Sequence, residues 1–162
     1  MAYILHIETS TKHCSVSVAY KGKCIALIEE DNMHFSHAEK LQSFINKAVQ
    51  EADITLKDLD AVAVSEGPGS YTGLRIGVAT AKGLCYALDL PLISISTLAN
   101  LARQIQDYER IIPLLEARKM EVYTAVFDAE FQMIDKPHTE FLTTDSFINY
   151  ISNYSVAFVG NA

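Results

Sequence analysis

Three groups of residues in this sequence have the types and spacing for chemistry. The first is Gly67-Pro68-Gly69-Ser70-Tyr71-Thr72-Gly73, with Arg75 close behind. Glycines permit positive φ and close backbone approach. A helix starting after them would offer free amides and a positive dipole end to an anion. A phosphate cradle is therefore one reading. The segment is not a Walker motif, since no Gly-Lys-Ser/Thr follows, and it is not Gly-x-Gly-x-x-Gly. The competing reading is a tight structural turn capped by Thr72, and the chemistry alone favours it. The second group is His34 and His37, spaced like a metal pair. No cysteine is close in sequence and Asp31 lies outside the following helix, so solvated or capping histidines are the better reading. The third is Cys14, Cys24 and Cys85, an odd count with no Cys-x-x-Cys. They sit among apolar or small residues and read as buried, reduced thiols in a reducing compartment. His6, between Leu5 and Ile7, reads as a half-buried polar partner within a strand.

The bulk composition narrows the function. The 162 residues suffice for one sizeable domain or two small lobes. The chain carries 20 acidic and 13 basic side chains, a net charge of −7. A protein that grips nucleic acid through its phosphates needs a Lys/Arg face. No basic run is longer than Arg118-Lys119. If nucleic acid is the eventual substrate, something else holds it. The apolar stretches are too short to span a bilayer. Met1-Ala2-Tyr3 runs straight into a strand-like segment, which predicts no leader.

The elements that must position these groups follow from periodicity. Tyr3–Ile7 reads as a buried strand. Cys14–Tyr20 and Lys23–Ile28 form a hairpin about Lys21-Gly22. Ser36 and Glu39 make a capping box. Leu41, Ile45, Ala48 and Ala52 then give a helical core stripe, widened by Phe44 and Val49. Thr55–Leu59 reads as a helical turn and Ala61–Val64 as a strand. A second helix runs from about Leu74 to Leu88 and ends before Pro91. Leu92–Ile95 is a strand, and Thr97 caps a third helix to about Ile105. Ile111–Leu115 and Val122–Phe127 are strands, with Phe131–Ile134 returning. Thr144 or Asp145 caps a helix through Ile151, and Val156–Val159 is the last strand.

Two patterns stand out. Ile4-Leu5-His6-Ile7-Glu8-Thr9 is echoed by Ile112-Pro113-Leu114-Leu115-Glu116-Ala117, and each is followed by a hairpin and a helix. This duplication resembles the ribonuclease H-like lobes of actin and Hsp70-type ATPases. It implies an α/β fold, a mixed sheet with helices on both faces, with lobes at 1–108 and 109–162. The second pattern is the second helix. Leu74, Val78, Ala81, Cys85 and Leu88 form one seam, expected to cover the sheet. Ile76, Ala79, Gly83, Tyr86 and Ala87 lie opposite and are also apolar or small. A helix apolar all round needs cover on both sides. Either the second lobe or another chain must supply it. Tyr71 is either a partner anchor or packing over the turn.

The motif Gly67-Pro68-Gly69-Ser70-Tyr71-Thr72-Gly73-Leu74-Arg75-Ile76-Gly77, followed by Ala81-Lys82-Gly83-Leu84, resembles the signature of the TsaB (YeaZ, glycoprotease-like) family. Ile7–Thr11, His37 and Glu39, Ser96-Thr97-Leu98, Ala117-Arg118 and Glu121-Val122-Tyr123 extend the resemblance over most of the chain. It implies a cytoplasmic, actin-like dimerisation subunit for threonylcarbamoylation of N6 of adenosine 37 in tRNA. The implied partners are a TsaD-like catalytic subunit and a TsaE-like ATPase. It implies a homodimer when alone, contact with tRNA only indirectly, and no membrane. The implied partner-binding set is Phe44, Tyr71, Arg75, Ile76, Ala79, Gly83 and Tyr86. TsaD-like chains carry a His-x-x-x-His metal pair that falls here on about Thr97 and Leu101, poor ligands for iron or zinc. Actin-like ATPases use Asp-x-Gly-Thr/Ser corners. This chain has Glu8-Thr9-Ser10-Thr11 and Glu116-Ala117-Arg118, with no glycine at either. No catalytic residue, metal or independently bound cofactor is therefore expected, and ATP or ADP only at a partner interface. The alternative is an actin-fold small-molecule kinase or a glycoprotease-like peptidase. Relatives in the family run longer, so the second lobe is expected to be incomplete at Gly160-Asn161.

Overall fold

The computed structural model describes residues 2–31 and 37–162. The chain divides into two compact units, Met1–Ile95 and Ser96–Ala162.

In the first unit, β1 (Tyr3–Glu8), β2 (His13–Tyr20) and β3 (Lys23–Asp31) precede α1 (His37–Glu51). A 3-10 turn at Leu56–Asp58, β4 (Ala61–Gly67), α2 (Tyr71–Leu88) and β5 (Leu92–Ser96) follow. The sheet order is β3-β2-β1-β4-β5. β1 is antiparallel to β2 and parallel to β4. Alternation fixes the register. Leu5 and Ile7 align with Val18 and Val16 on one side and with Val62 and Val64 on the other. All six are buried in one cluster with Leu41, Phe44, Ile45, Ala48, Ala81 and Cys85 from α1 and α2. Burying each large apolar side chain contributes roughly 1.5–3 kcal/mol, so a register slip of one residue would forfeit the whole face.

The second unit contains α3 (Thr97–Ala102), β6 (Arg110–Arg118), β7 (Glu121–Asp128), β8 (Met133–Phe141), α4 (Ile148–Ile151) and β9 (Val156–Gly160). Its order is β8-β7-β6-β9. β6 is antiparallel to β7 and parallel to β9, which repeats the pairing of β1. The duplication expected from the sequence is thus present in the topology. α3 packs Leu98 and Ala102 with Ile111, Leu115, Ala125 and Phe127. Ile112, Leu114, Val122 and Val126 form a separate cluster with Phe147 and Tyr150 at its edge.

Several expectations are corrected. The division falls at Ile95/Ser96 rather than after residue 108, because α3 shares its core with β6 and β7. α2 begins at Tyr71, not Leu74, and its cap is Ser70, not Thr72: Ser70 Oγ accepts from Gly73 N at 3.3 Å. The helix ends on Asp89 in a left-handed conformation. α3 is capped by Ser96, whose Oγ accepts from Ala99 N at 3.4 Å. Cys24 is exposed; only Cys14 and Cys85 are buried. The Ser36/Glu39 box and the His34/His37 pair involve residues or side chains outside the described ones.

Candidate partner-docking face

The corner between β1 and β2 is built first. Glu8 ends β1, and its two carboxylate oxygens are both engaged. Oε1 accepts from Ser10 N at 2.7 Å, and Oε2 accepts from Ser65 Oγ on β4. Thr9 and Ser10 are buried. Thr9 Oγ1 donates to Gly73 O at 2.8 Å, and Ser70 N donates to Ser10 O at 2.6 Å. The glycine segment therefore closes directly onto this corner.

Its glycines are explained by that contact. Gly67 and Gly69 have φ of +111° and +157°. A Cβ at Gly69 would overlap the Ser10 carbonyl oxygen, and one at Gly73 the Thr9 carbonyl oxygen. At Gly77 it would meet Thr9 Oγ1. These glycines serve the close approach of α2 to the β1–β2 corner, which supports the structural reading of the segment.

The same contact sets the inner face of α2. The buried residues are Gly73, Gly77, Ala81 and Cys85, at a spacing of four. The seam expected at Leu74, Val78 and Leu88 is only half-buried. The smallest side chains face inward because the helix axis must come within touching distance of Thr9. Ile76 is half-buried and packs on the first core, and Phe44 is 6% exposed within it. Phe44 is thus a core residue with little surface to offer a partner, while Ile76 keeps part of its side chain at the surface.

The outer face keeps the remaining five members of the set. Tyr71 is 73% exposed and Tyr86 93%, and Arg75, Ala79 and Gly83 are exposed. Tyr71, Arg75, Ala79, Lys82 and Tyr86 recur at four-four-three-four spacing and form one stripe. The Arg75 guanidinium lies 5.4 Å from the Tyr71 ring centre, and its Nη1 donates to Tyr71 Oη at 3.5 Å. A shallow groove of about 370 Å³ is lined by Tyr71, Leu74, Arg75, Val78, Ala79 and Lys82. Lys82, outside the expected partner-binding set, lines this groove as well. Its spacing from Ala79 and Tyr86 is the signal that places it here. A Cβ at Gly83 would meet nothing, so that glycine is not required by the fold.

The remaining candidates are placed as follows. Burial pushes the His6 imidazole below its usual range. The Cys14 thiol is pushed up by burial and then by Glu8 and Glu30, and Cys85 by burial. Both thiols are thereby held in their unreactive form. Among the described residues, no three His, Cys, Asp or Glu side chains gather as a metal site. Thr97 is buried on α3 and its Oγ1 has no hydrogen-bond partner. Leu101 packs against the core of the second unit. Among the described residues, no helix is long and apolar enough to cross a membrane.

Comparison with known proteins decides the family. Residues 32–148 match the family model described as TsaD, tRNA N6-adenosine threonylcarbamoyltransferase. The solved structure of YeaZ from Pseudomonas aeruginosa superposes with a TM-score of 0.76 at 31% identity, covering 90% of this chain and 69% of that one. The chain belongs to the TsaB (YeaZ) family. The tRNA threonylcarbamoyladenosine biosynthesis protein TsaB of Buchnera aphidicola subsp. Schizaphis graminum is 42% identical over 123 residues, 74% of this chain and 58% of that protein. The TsaB of Escherichia coli K12 is 32% identical over 135 residues, 78% of this chain and 55% of that protein. The chain thus spans somewhat over half the length of these two relatives. Its fold is the actin-like α/β plan of the TsaB family, with mixed sheets.

Proposed function

We propose that this chain acts in tRNA N6-threonylcarbamoyladenosine modification as a docking subunit for a TsaD-type catalytic chain, without chemistry of its own. The observation that carries the reading is the outer stripe of α2. Two tyrosines, 73% and 93% exposed, flank an arginine, a small residue and a lysine. Tyrosine and arginine are the residue types that dominate binding energy at interfaces. An alanine at the centre lets a second helix come close. The inner side of the same helix is closed onto Thr9 and Ser10, and each Glu8 carboxylate oxygen accepts one hydrogen bond, from Ser10 N and Ser65 Oγ. These bonds give that carboxylate a structural role at the corner where an actin-like ATPase would hold its metal.

The finer points belong to the same proposal. The chain binds no nucleotide by itself, and ATP or ADP enters only at the partner interface. A TsaE-like ATPase joins the assembly, tRNA is reached only indirectly, the compartment is the cytoplasm, and the chain alone self-associates. The test is co-purification with a TsaD-type chain. A stable heterodimer that is needed for threonylcarbamoylation in the reconstituted system, with no modification by this chain alone, is expected. Stoichiometric ATP turnover or peptide hydrolysis by the pure chain would favour the kinase or peptidase reading instead.

A further inference from the structure

A cavity of about 460 Å³ lies wholly within the second unit and involves no residue of α2. Its walls come from three segments: residues 106–109 before β6, residues 129 and 131 in the β7–β8 turn, and Ser155 before β9. Each segment is fixed by its own hydrogen bonds. Glu109 N donates to Ser155 Oγ at 3.1 Å, and Ser155 N donates to Glu109 Oε2 at 2.8 Å. In the β7–β8 turn, Asp128 Oδ1 accepts from Glu130 N at 3.0 Å and from Gln132 N at 2.7 Å. The walls are therefore set before a ligand arrives, which lowers the cost of ordering them. Two lining residues, Asp107 and Phe131, have φ of +68° and +60°. That conformation is rare for a bulky side chain, and strain of this kind collects at ligand sites.

The lining holds two aromatic rings, Tyr108 and Phe131, and two carboxylates, Asp107 and Glu109, but no Lys, Arg or His. Among the described residues, nothing donates to the Asp107 carboxylate or to Glu109 Oε1. The neighbouring arginines are engaged elsewhere. Arg103 lies 5.8 Å from the centre of the Phe131 ring, and its Nη1 donates to Ala99 O at 3.4 Å. Arg110 lies 3.9 Å from the centre of the Tyr154 ring, and its Nη1 donates to the main-chain oxygen of Glu109 at 2.6 Å. We propose that this cavity binds a small organic cation, an alkylammonium or alkylguanidinium group. Its apolar stem packs on the Tyr108 and Phe131 rings, and its charged end meets the Asp107 and Glu109 carboxylates. Aromatic faces attract cations, and a carboxylate is the strongest hydrogen-bond acceptor for an N–H cation. A concave, partly apolar site with a few convergent polar groups is the usual form of a small-molecule pocket. An anion would meet two carboxylates and no lining cation, so phosphates are disfavoured. The site does not rest on the docking role of α2.

The test titrates the chain with n-butylguanidinium, with n-butylammonium and with uncharged 1-pentanol at about 0.15 M salt, followed by amide NMR shifts. At least one cation is expected to bind with a Kd of about 1 mM or tighter, shifting the amides of residues 106–109 and 129–132. D107N/E109Q is expected to bind it at least about tenfold more weakly at an unchanged melting temperature. Asparagine accepts the left-handed backbone, and the glutamine keeps an acceptor for Ser155 N. E51Q/E66Q removes the same charge from exposed residues of the first unit and should bind like wild type. Equal weakening by both double variants would reduce the effect to the net charge of −7 and overturn the site. So would 1-pentanol binding as tightly as the cations, or no saturable shift at residues 106–109 with either cation up to about 10 mM. If D107N/E109Q does not fold, the wild-type shift map and the 1-pentanol comparison decide by themselves.

Discussion

The two faces of α2 differ in what limits them. The inner stripe, Gly73, Gly77, Ala81 and Cys85, is buried: Gly73 and Gly77 lie against Thr9 at the β1–β2 corner with no room for a Cβ, and Ala81 and Cys85 pack in the first core. The outer stripe, Tyr71, Arg75, Ala79, Lys82 and Tyr86, meets solvent, and a side chain added at neighbouring Gly83 would touch nothing. One helix thus holds its place in the fold through its smallest residues and offers its larger ones outward. Sequence hydrophobicity alone would assign those roles the other way round.

That contrast can be broken first where it extends onto α1. Phe44 belongs to the inner side, so Phe44→Ala should cost about 3–5 kcal/mol of stability in chemical denaturation. A small loss of stability with a large loss of docking would return Phe44 to the outer set. Gly73→Ala comes next. The added methyl overlaps the Thr9 carbonyl oxygen, and main chain cannot move aside cheaply. A loss near about 3 kcal/mol, the upper part of the range for overpacking, is expected. Gly83→Ala should do the reverse. It adds a helix-favouring residue in open space and should stabilise by roughly 0.5–1 kcal/mol. The two glycines then differ in sign, which a pair of thermal melts reads directly.

The smallest effect concerns His6, whose imidazole is disfavoured in its charged form by burial. Its folded pKa lies below the unfolded one, so the unfolded chain takes up the proton first as pH falls. The penalty is absent above the ordinary histidine range and grows as pH drops through that range towards the lowered folded value. Denaturation midpoints measured from about pH 8 to about pH 5 should therefore fall further in the wild type than in His6→Asn.

Much of the fold was legible because it depends on local alternation. The hairpins, the repeated β1 and β6 pattern and the glycine turn all follow from residues close in sequence. β8 was read only to Ile134, although it runs to Phe141. Asp135, Lys136 and Pro137 are poor strand formers, but β8 is an edge strand, where proline and charge are tolerated. The inner face of α2 was misread for a different reason. Its partner, Thr9, is 64 residues away from Gly73, and no window of sequence shows that the axis must approach that closely. The same distance hides from the sequence that Phe44 is buried and Ile76 half-buried against the first core. The exposed tyrosines were legible as residue types, and the structure supplied their exposure.

The second unit sharpens the point about the corner. Glu116 repeats the position of Glu8 in the duplicated topology, but it is exposed, and its backbone N donates to Asn161 Oδ1 at 3.1 Å. At the first corner the carboxylate is locked between Ser10 and Ser65 by a loop that α2 presses into place. The glycine motif therefore reads as the device that seats α2, and the proposed docking falls on the opposite side of that helix.

The most direct test of that division is the affinity of a TsaD-type chain for wild type and for Ala79→Arg, measured by titration calorimetry alongside a thermal melt. A bulky cation at the centre of the outer stripe should weaken binding by at least about 2 kcal/mol and leave stability within about 0.5 kcal/mol of wild type. Unchanged affinity at unchanged stability would contradict the account.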